Sequence, residues 1–219
     1  PTYNKAVWPS TGNYCRGGAY NSKLLGCESV AILPAEMSKE RFDWLSKIAG
    51  EVIATPGCES NVKEIFDKTW ELRRTRKDVV IFNQFEEMGN VLWHYQVTGK
   101  AIADAYESLK TDTTRFAGAC FTSGSAGTMS AGDYLKEQYP HAKLAVGEAL
   151  QCPTLLENGF GGHRIEGIGD KHVPWVHNVK NTDMVIDIDD EDSQNLLRLF
   201  NTEDGHRYLT EIVGVPKET

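Results

Sequence analysis

The 219-residue sequence contains no CxxC pair, no HExxH motif and no apolar run approaching the ~20 residues of a membrane span. Positive charge is also scarce: 23 Lys and Arg stand against 31 Asp and Glu, a formal net charge of −8. Such a balance suits neither nucleic acid nor an anionic membrane, because both are held by clustered cations. The one dense basic run, Arg73-Arg74-Thr75-Arg76-Lys77, ends a helical pattern and reads as a solvated helix end, where cations complement the dipole. Cys15, Cys27, Cys58, Cys120 and Cys152 lack metal-ligand spacing and read as reduced thiols of a cytoplasmic protein. His94, His141, His163, His172, His177 and His206 offer no ligand pair either, so no metal is expected. Low-complexity segments, internal repeats and a signal-like apolar start are missing as well.

What is present is a 40% apolar chain able to bury a sizeable core. Short β-rich runs alternate with helical patterns about every 25 residues, as in "SVAILP" before "SKERFDWLSKIAG" and "EVIATPG" before "NVKEIFDKTWELRRTR". This alternation predicts an α/β fold with parallel strands and helices on both faces. Ser38 and Asn61 stand where helix N-caps belong, with Glu64 at a capping-box position. "VLWHYQVTGKAIADAYESL" reads as one helix, and the acidic run Asp187 to Asp192 reads as charge at a helix start after a strand.

The most unusual stretch is "FTSGSAGTMSAG", residues 121–132, which combines glycine, alanine and hydroxyl residues without a charge. A strand turning into a helix here exposes backbone N–H groups at the positive end of a helix dipole, a place that binds phosphate. The lysine of a P-loop is missing, and so is the GxGxxG spacing of a dinucleotide site, which leaves a phosphate monoester as the better ligand. Taken alone, the run is equally a tight β-to-α turn.

Three further stretches supply context. "WPSTGNYCRGGA" carries Ser10, Thr11, Gly12 and Asn13 between a strand and a helix, a set suited to a carboxylate and to a phenolic or carbonyl oxygen. "FNQFEEMGNVLWHY" places Gln84 at the end of an apolar strand. "HRIEGIGDKHVP" sets Gly167 and Gly169 on either side of Ile168, where a loop can lie close to a flat ligand.

In their order along the chain, from about Ser10 to about Asp192, these stretches resemble the fold-type II pyridoxal 5′-phosphate (PLP) enzymes, and the cysteine synthase branch most. The resemblance implies three-layer α-β-α architecture, a small mobile domain over 1–95 and part of a large phosphate-binding domain over 96–219. It implies that Ser10, Thr11, Gly12 and Gln84 bind the substrate carboxylate and that Asn13 meets the cofactor's phenolic oxygen. Gly124, Ser125, Ala126, Gly127 and Thr128 match the phosphate cup, and Gly167 and Gly169 the loop beside the ring. A small amino-acid substrate, a homodimer and, as an option, a second enzyme subunit follow from the same resemblance.

Two departures bear on specificity. Tyr14-Cys15 replaces the Thr-Gly that commonly follows the family's asparagine, and Ala126 replaces a cup glycine, a change expected to be mild because alanine keeps its N–H free. Tyr14 reads as pocket wall or proton donor, and Cys15 as a small buried residue or a thiol activated by the helix N-terminus. His163 reads as a structural hydrogen-bonding residue or as part of the pocket. The family's lysine, which forms a Schiff base with PLP, lies tens of residues before the Ser/Thr-Gly-Asn loop; only Lys5 precedes Ser10 here. The chain is therefore expected to be a catalytically incomplete portion of a longer β-replacement enzyme. The competing readings are a 2-amino-4-oxopentanoate thiolase-like or threonine synthase-like enzyme, and a non-catalytic phosphate-ligand module on the same fold.

Overall fold

The structure is a computed structural model and describes residues 4–58 and 61–218. Strands β1 (Lys5–Pro9), β2 (Ser29–Pro34), β3 (Glu51–Thr55) and β4 (Val79–Ile81) form a parallel sheet in the order β3-β2-β1-β4. Helices α1 (Asn13–Leu24), α2 (Lys39–Ile48) and α3 (Val62–Thr75) make its crossovers. After α4 (Met88–Trp93) and α5 (Lys100–Leu109) the chain enters a second parallel sheet, β5 (Gly118–Thr122), β6 (Lys143–Ala149) and β7 (Met184–Ile188), in that order. Helix α6 (Gly127–Gln138) links β5 to β6, and α7 (Asp190–Asn201) and α8 (Glu203–Arg207) follow β7. The protein is thus α/β with parallel sheets, as the strand and helix alternation predicts.

The unbroken apolar run of β2 is explained by its place inside the first sheet, where all six residues are buried. Ala31 and Leu33 pack with Cys15, Ala19 and Leu45 on one face, while Val30 and Ile32 pack with Val7, Ile65 and Leu72 on the other. Alternate side chains of one strand therefore serve two helix layers.

The amino ends of these strands are closed by ion pairs. Arg76, at the end of α3, reaches Glu51 at 2.8 Å and bonds Asp78 through both Nε and Nη2, and Lys5 pairs with Glu28 at 2.8 Å. One residue of the basic run is therefore not a solvated helix end but a tie between the starts of β3 and β4. Other local expectations also shift. Asn61 Oδ1 accepts the Cys58 N–H instead of capping α3, and the Ser38 side chain makes no cap. The helix predicted over 91–109 is interrupted by a π-helical turn, His94–Gly99, which presses Gly99 against α6; a Cβ there would lie 2.8 Å from Tyr134 Cβ. Asp189 caps α7 by accepting the Glu191 N–H at 2.7 Å, in line with the reading of the acidic run.

Ala126 caps α6 in the left-handed region, at φ 63°. The strain of about 1–2 kcal/mol that this conformation costs an L-residue is set against about 0.8 kcal/mol from burying its methyl group and the lower backbone entropy of alanine in the unfolded chain. The side chain is 1% exposed and packs with Met129 and Val146. The departure from glycine is mild because these terms nearly cancel, a different reason from the free N–H. Ala126→Gly is expected to change stability by less than about 1 kcal/mol, whereas Ala126→Val, β-branched and overpacked, loses about 2–3 kcal/mol or more. Urea midpoints of the two variants check this.

Candidate active site

The loops that leave the carboxyl ends of β1, β4 and β5 meet at a cavity of about 160 Å³. The first loop contributes Ser10, Thr11, Asn13 and Tyr14, and the second Gln84. The β5 loop contributes Ser123 and every residue from Gly124 to Thr128, and Gly167 and Ile168 close another side. Gly12 and Gly169 lie just behind this wall, outside the lining. Residues separated by more than 150 positions are thus brought together by parallel strands that all deliver their loops to one end.

Gln84 joins the two sheets. Ser10 Oγ donates to Gln84 Oε1 at 2.7 Å, and Gln84 Nε2 donates to Ser125 Oγ at 2.9 Å. The Gly12 N–H in turn donates to Ser10 Oγ at 3.1 Å. Asn90, in the first turns of α4, adds a second donor to Ser125 Oγ at 3.2 Å, and its amide occupies the space a Cβ on Gly127 would need, 2.3 Å away. Ser125 Oγ therefore accepts twice and keeps its own proton to give. The first N–H groups of α6 have no partner within their helix and point out of its start. Gly124 allows two backbones to meet, since a Cβ there would lie 3.0 Å from the Gly167 carbonyl oxygen. This is a concave arrangement of neutral donors at a helix N-terminus, chemically suited to a phosphate ester.

Tyr14 lines the cavity edge-on to Trp8, at 5.4 Å between ring centres, and burial pushes its phenol up to about 12, so it stays protonated near neutral pH. Cys15 is not an activated thiol. It is fully buried, its Sγ donates to the Gly12 carbonyl at 2.9 Å, and burial pushes its pKa up to about 12, outweighing the nearby Arg41 and the helix start. His163 packs beneath Gly169 and lines a different cavity, beside Cys58 and Arg164, and its buried ring nitrogens make no hydrogen bond among the described residues. Among the described residues it neither hydrogen-bonds nor lines the main cavity.

Sequence reasoning missed Asn90, His94 and Asp170, all of which line the main cavity. Asn90 was within reach, because it lies in the same short stretch as Gln84, one helical turn into α4. Burial lowers the pKa of His94, favouring the neutral ring, whose Nδ1 lies 3.0 Å from Thr98 Oγ1. Behind the β5 loop, Glu148 and Asp187 stand opposite each other on β6 and β7. Burial first, and Asp187 second, raise the Glu148 pKa, although its carboxylate accepts the Leu155 and Leu156 N–H groups.

Two outcomes follow. A thiol reagent at about pH 8 is expected to label exposed Cys27 and Cys120 in the native chain and to leave Cys15 unmodified until unfolding. For Glu148, a folded-state pKa above the unfolded value means that its contribution to stability is complete in acid and lost as pH rises. Asp187→Asn is therefore expected to gain stability relative to the parent at neutral pH and to lose that advantage below the ordinary carboxylate range, as read from urea midpoints across pH.

Comparison with known proteins fits this geometry. A probable cysteine synthase of Bacillus subtilis (strain 168) is 30% identical over 200 residues, covering 91% of this chain and 63% of that protein. A hydrogen sulfide-producing enzyme of Fusobacterium nucleatum superposes with a TM-score of 0.77 at 25% identity, over 98% of this chain and 67% of that one. An O-acetylserine dependent cystathionine beta-synthase of Helicobacter pylori shares the fold, with a TM-score of 0.78 at 23% identity over 98% of this chain and 65% of the other. The chain spans a little under two thirds of the length of these curated cysteine synthases. The sequence pattern of the pyridoxal-phosphate dependent enzymes matches residues 3–208, nearly the whole chain, and the protein belongs to that family.

Proposed function

We propose that the cavity at the carboxyl ends of the strands is the PLP and amino-acid site of a cysteine synthase-like enzyme. The observation that carries this reading is the Gln84 bridge, which sets a carboxylate-binding loop and a phosphate-binding loop at a fixed separation. The cavity fits the cofactor's phosphate: it offers the α6 N-terminus, a spare Ser125 O–H and glycine positions that let the backbone come close. Gly124, Ser125, Ala126, Gly127 and Thr128 would hold that phosphate, Asn13 the phenolic oxygen, and Gly167 the side of the ring, with Gly169 behind it tying the loop to the Ser123 carbonyl. Bound PLP supplies an electron sink for negative charge at the α-carbon of an amino acid.

The chain's own part is binding and orientation. Thr11 and the second N–H of Gln84 Nε2 would donate to the substrate carboxylate, while Ser10 and Gly12, whose protons go to Gln84 and to Ser10, orient those donors, which fixes the α-carbon relative to the cup. Protonated Tyr14 forms a polar wall beside them. Asp170, buried at the same cavity, adds a carboxylate that favours a substrate with a positive or proton-donating group on that side. No lysine lines the cavity among the described residues. The two sheets would be the two domains of the enzyme, divided in the stretch between β4 and β5, with the cleft between them.

PLP added to the chain is expected to bind reversibly, in competition with inorganic phosphate, and Gly127→Asp to weaken it at least ~10-fold. Borohydride reduction with peptide mapping completes the test. A pyridoxyl group on one specific lysine overturns the incompleteness, and binding that neither phosphate nor Gly127→Asp affects overturns the cup.

A further inference from the structure

Arg41 lies on α2, outside every stretch assigned to the cavity, yet its guanidinium fills the space beneath the first loop. A Cβ on Gly12 would sit 1.5 Å from its Nη1, so glycine is needed there for the arginine to pass. Nη1 donates to the Thr11 carbonyl at 3.0 Å, and Nη2 lies 2.7 Å from Glu166 Oε2. The other carboxylate oxygen of Glu166 accepts the Ser38 N–H at 3.2 Å, ahead of α2. The Arg41 side chain is only 11% exposed and Glu166 34%, so the pair is less screened than an ordinary surface ion pair.

Glu166 belongs to the other half of the molecule. The next residue, Gly167, has φ +94° and brings its carbonyl against Gly124, and the Gly169 N–H donates to the Ser123 carbonyl at 3.3 Å. A continuous set of contacts thus runs from Thr11 through Arg41 and Glu166 to the loop over 167–169 and on to the β5 loop. It does not share atoms with the Gln84 bridge.

We propose that Arg41 and Glu166 are positioning residues whose ion pair holds the loop over 10–13 and the loop over 166–169 in one register, so that the two open and close together. Neither residue lines the cavity, and neither needs to touch substrate or cofactor. The role of the pair is mechanical coupling across the cleft. It also accounts for Gly12, which is behind the cavity wall and is required by the guanidinium. The proposal stands independently of the cofactor reading, because it concerns loop opening in the free chain.

Hydrogen exchange measured by mass spectrometry on the purified chain tests it without any ligand. Glu166→Ala is expected to speed exchange in residues 10–16 and 164–170 together, on the order of fivefold or more in each, with β2 unchanged. Arg41→Lys keeps the charge but loses the two-partner geometry, and is expected to do the same. Added salt should speed exchange in both loops of the parent, and much less in Glu166→Gln. Faster exchange confined to 164–170 in Glu166→Ala, with 10–16 unchanged, overturns the proposal. Should Arg41→Lys loosen β2 as well, Glu166→Ala alone decides.

Discussion

Inside the cavity, the first loop and the β5 loop are joined through one carboxamide. Gln84 accepts from one sheet's loop and donates to the other's, and an amide has only one orientation that does both. Its position is set by β4, a strand of only three residues paired with β1. So short a strand gains little from its ladder alone, and its start is tied down by Arg76 through Asp78 and by the Lys5 N–H to the Asp78 carbonyl. Ion pairs fasten the amino ends of these strands, while amides, hydroxyls and backbone N–H groups line the cavity at the carboxyl ends beside the Asp170 carboxylate, with the Arg41–Glu166 pair outside the lining.

How much of this was legible in the sequence follows from which interactions are local. The β2 run, the strand and helix alternation and the Gly124 to Thr128 turn are properties of neighbouring residues, and the local sequence pattern revealed them. The resemblance to the PLP enzymes placed Ser10, Thr11, Asn13 and Gln84 near that turn, and the physical reason they meet there is that parallel strands deliver their loops to one end. What was hidden depends on distant partners. Asn90 matters because Gly127 leaves room for it, and Arg41 because Gly12 does, and neither vacancy can be seen from one side. For Cys15, read both as a small buried residue and as an activated thiol, only the fold decides for the first: a helix start lowers a thiol pKa only where water remains, and the depth of burial belongs to the whole fold. Caps at Ser38 and Asn61 were plausible locally but gave way to other bonds made by the same stretches.

Ala126 shows how a residue other than glycine can hold a left-handed turn. The strain at the start of α6 is offset by a methyl group buried against Met129 and Val146. The residue that looks wrong for the conformation is right for the packing.

The bonds across the cleft also have a direction. The Gly12 N–H gives to Ser10, Ser10 gives to Gln84, Gln84 gives to Ser125, and Asn90 gives to the same oxygen. Each donation polarises the next group, and none runs backward, so the sequence of bonds terminates in one hydroxyl proton made more acidic by everything upstream of it. An incoming oxyanion at that proton would meet the accumulated polarisation of both sheets, and the strength of a single serine contact would report on the integrity of a loop on the far side of the cleft.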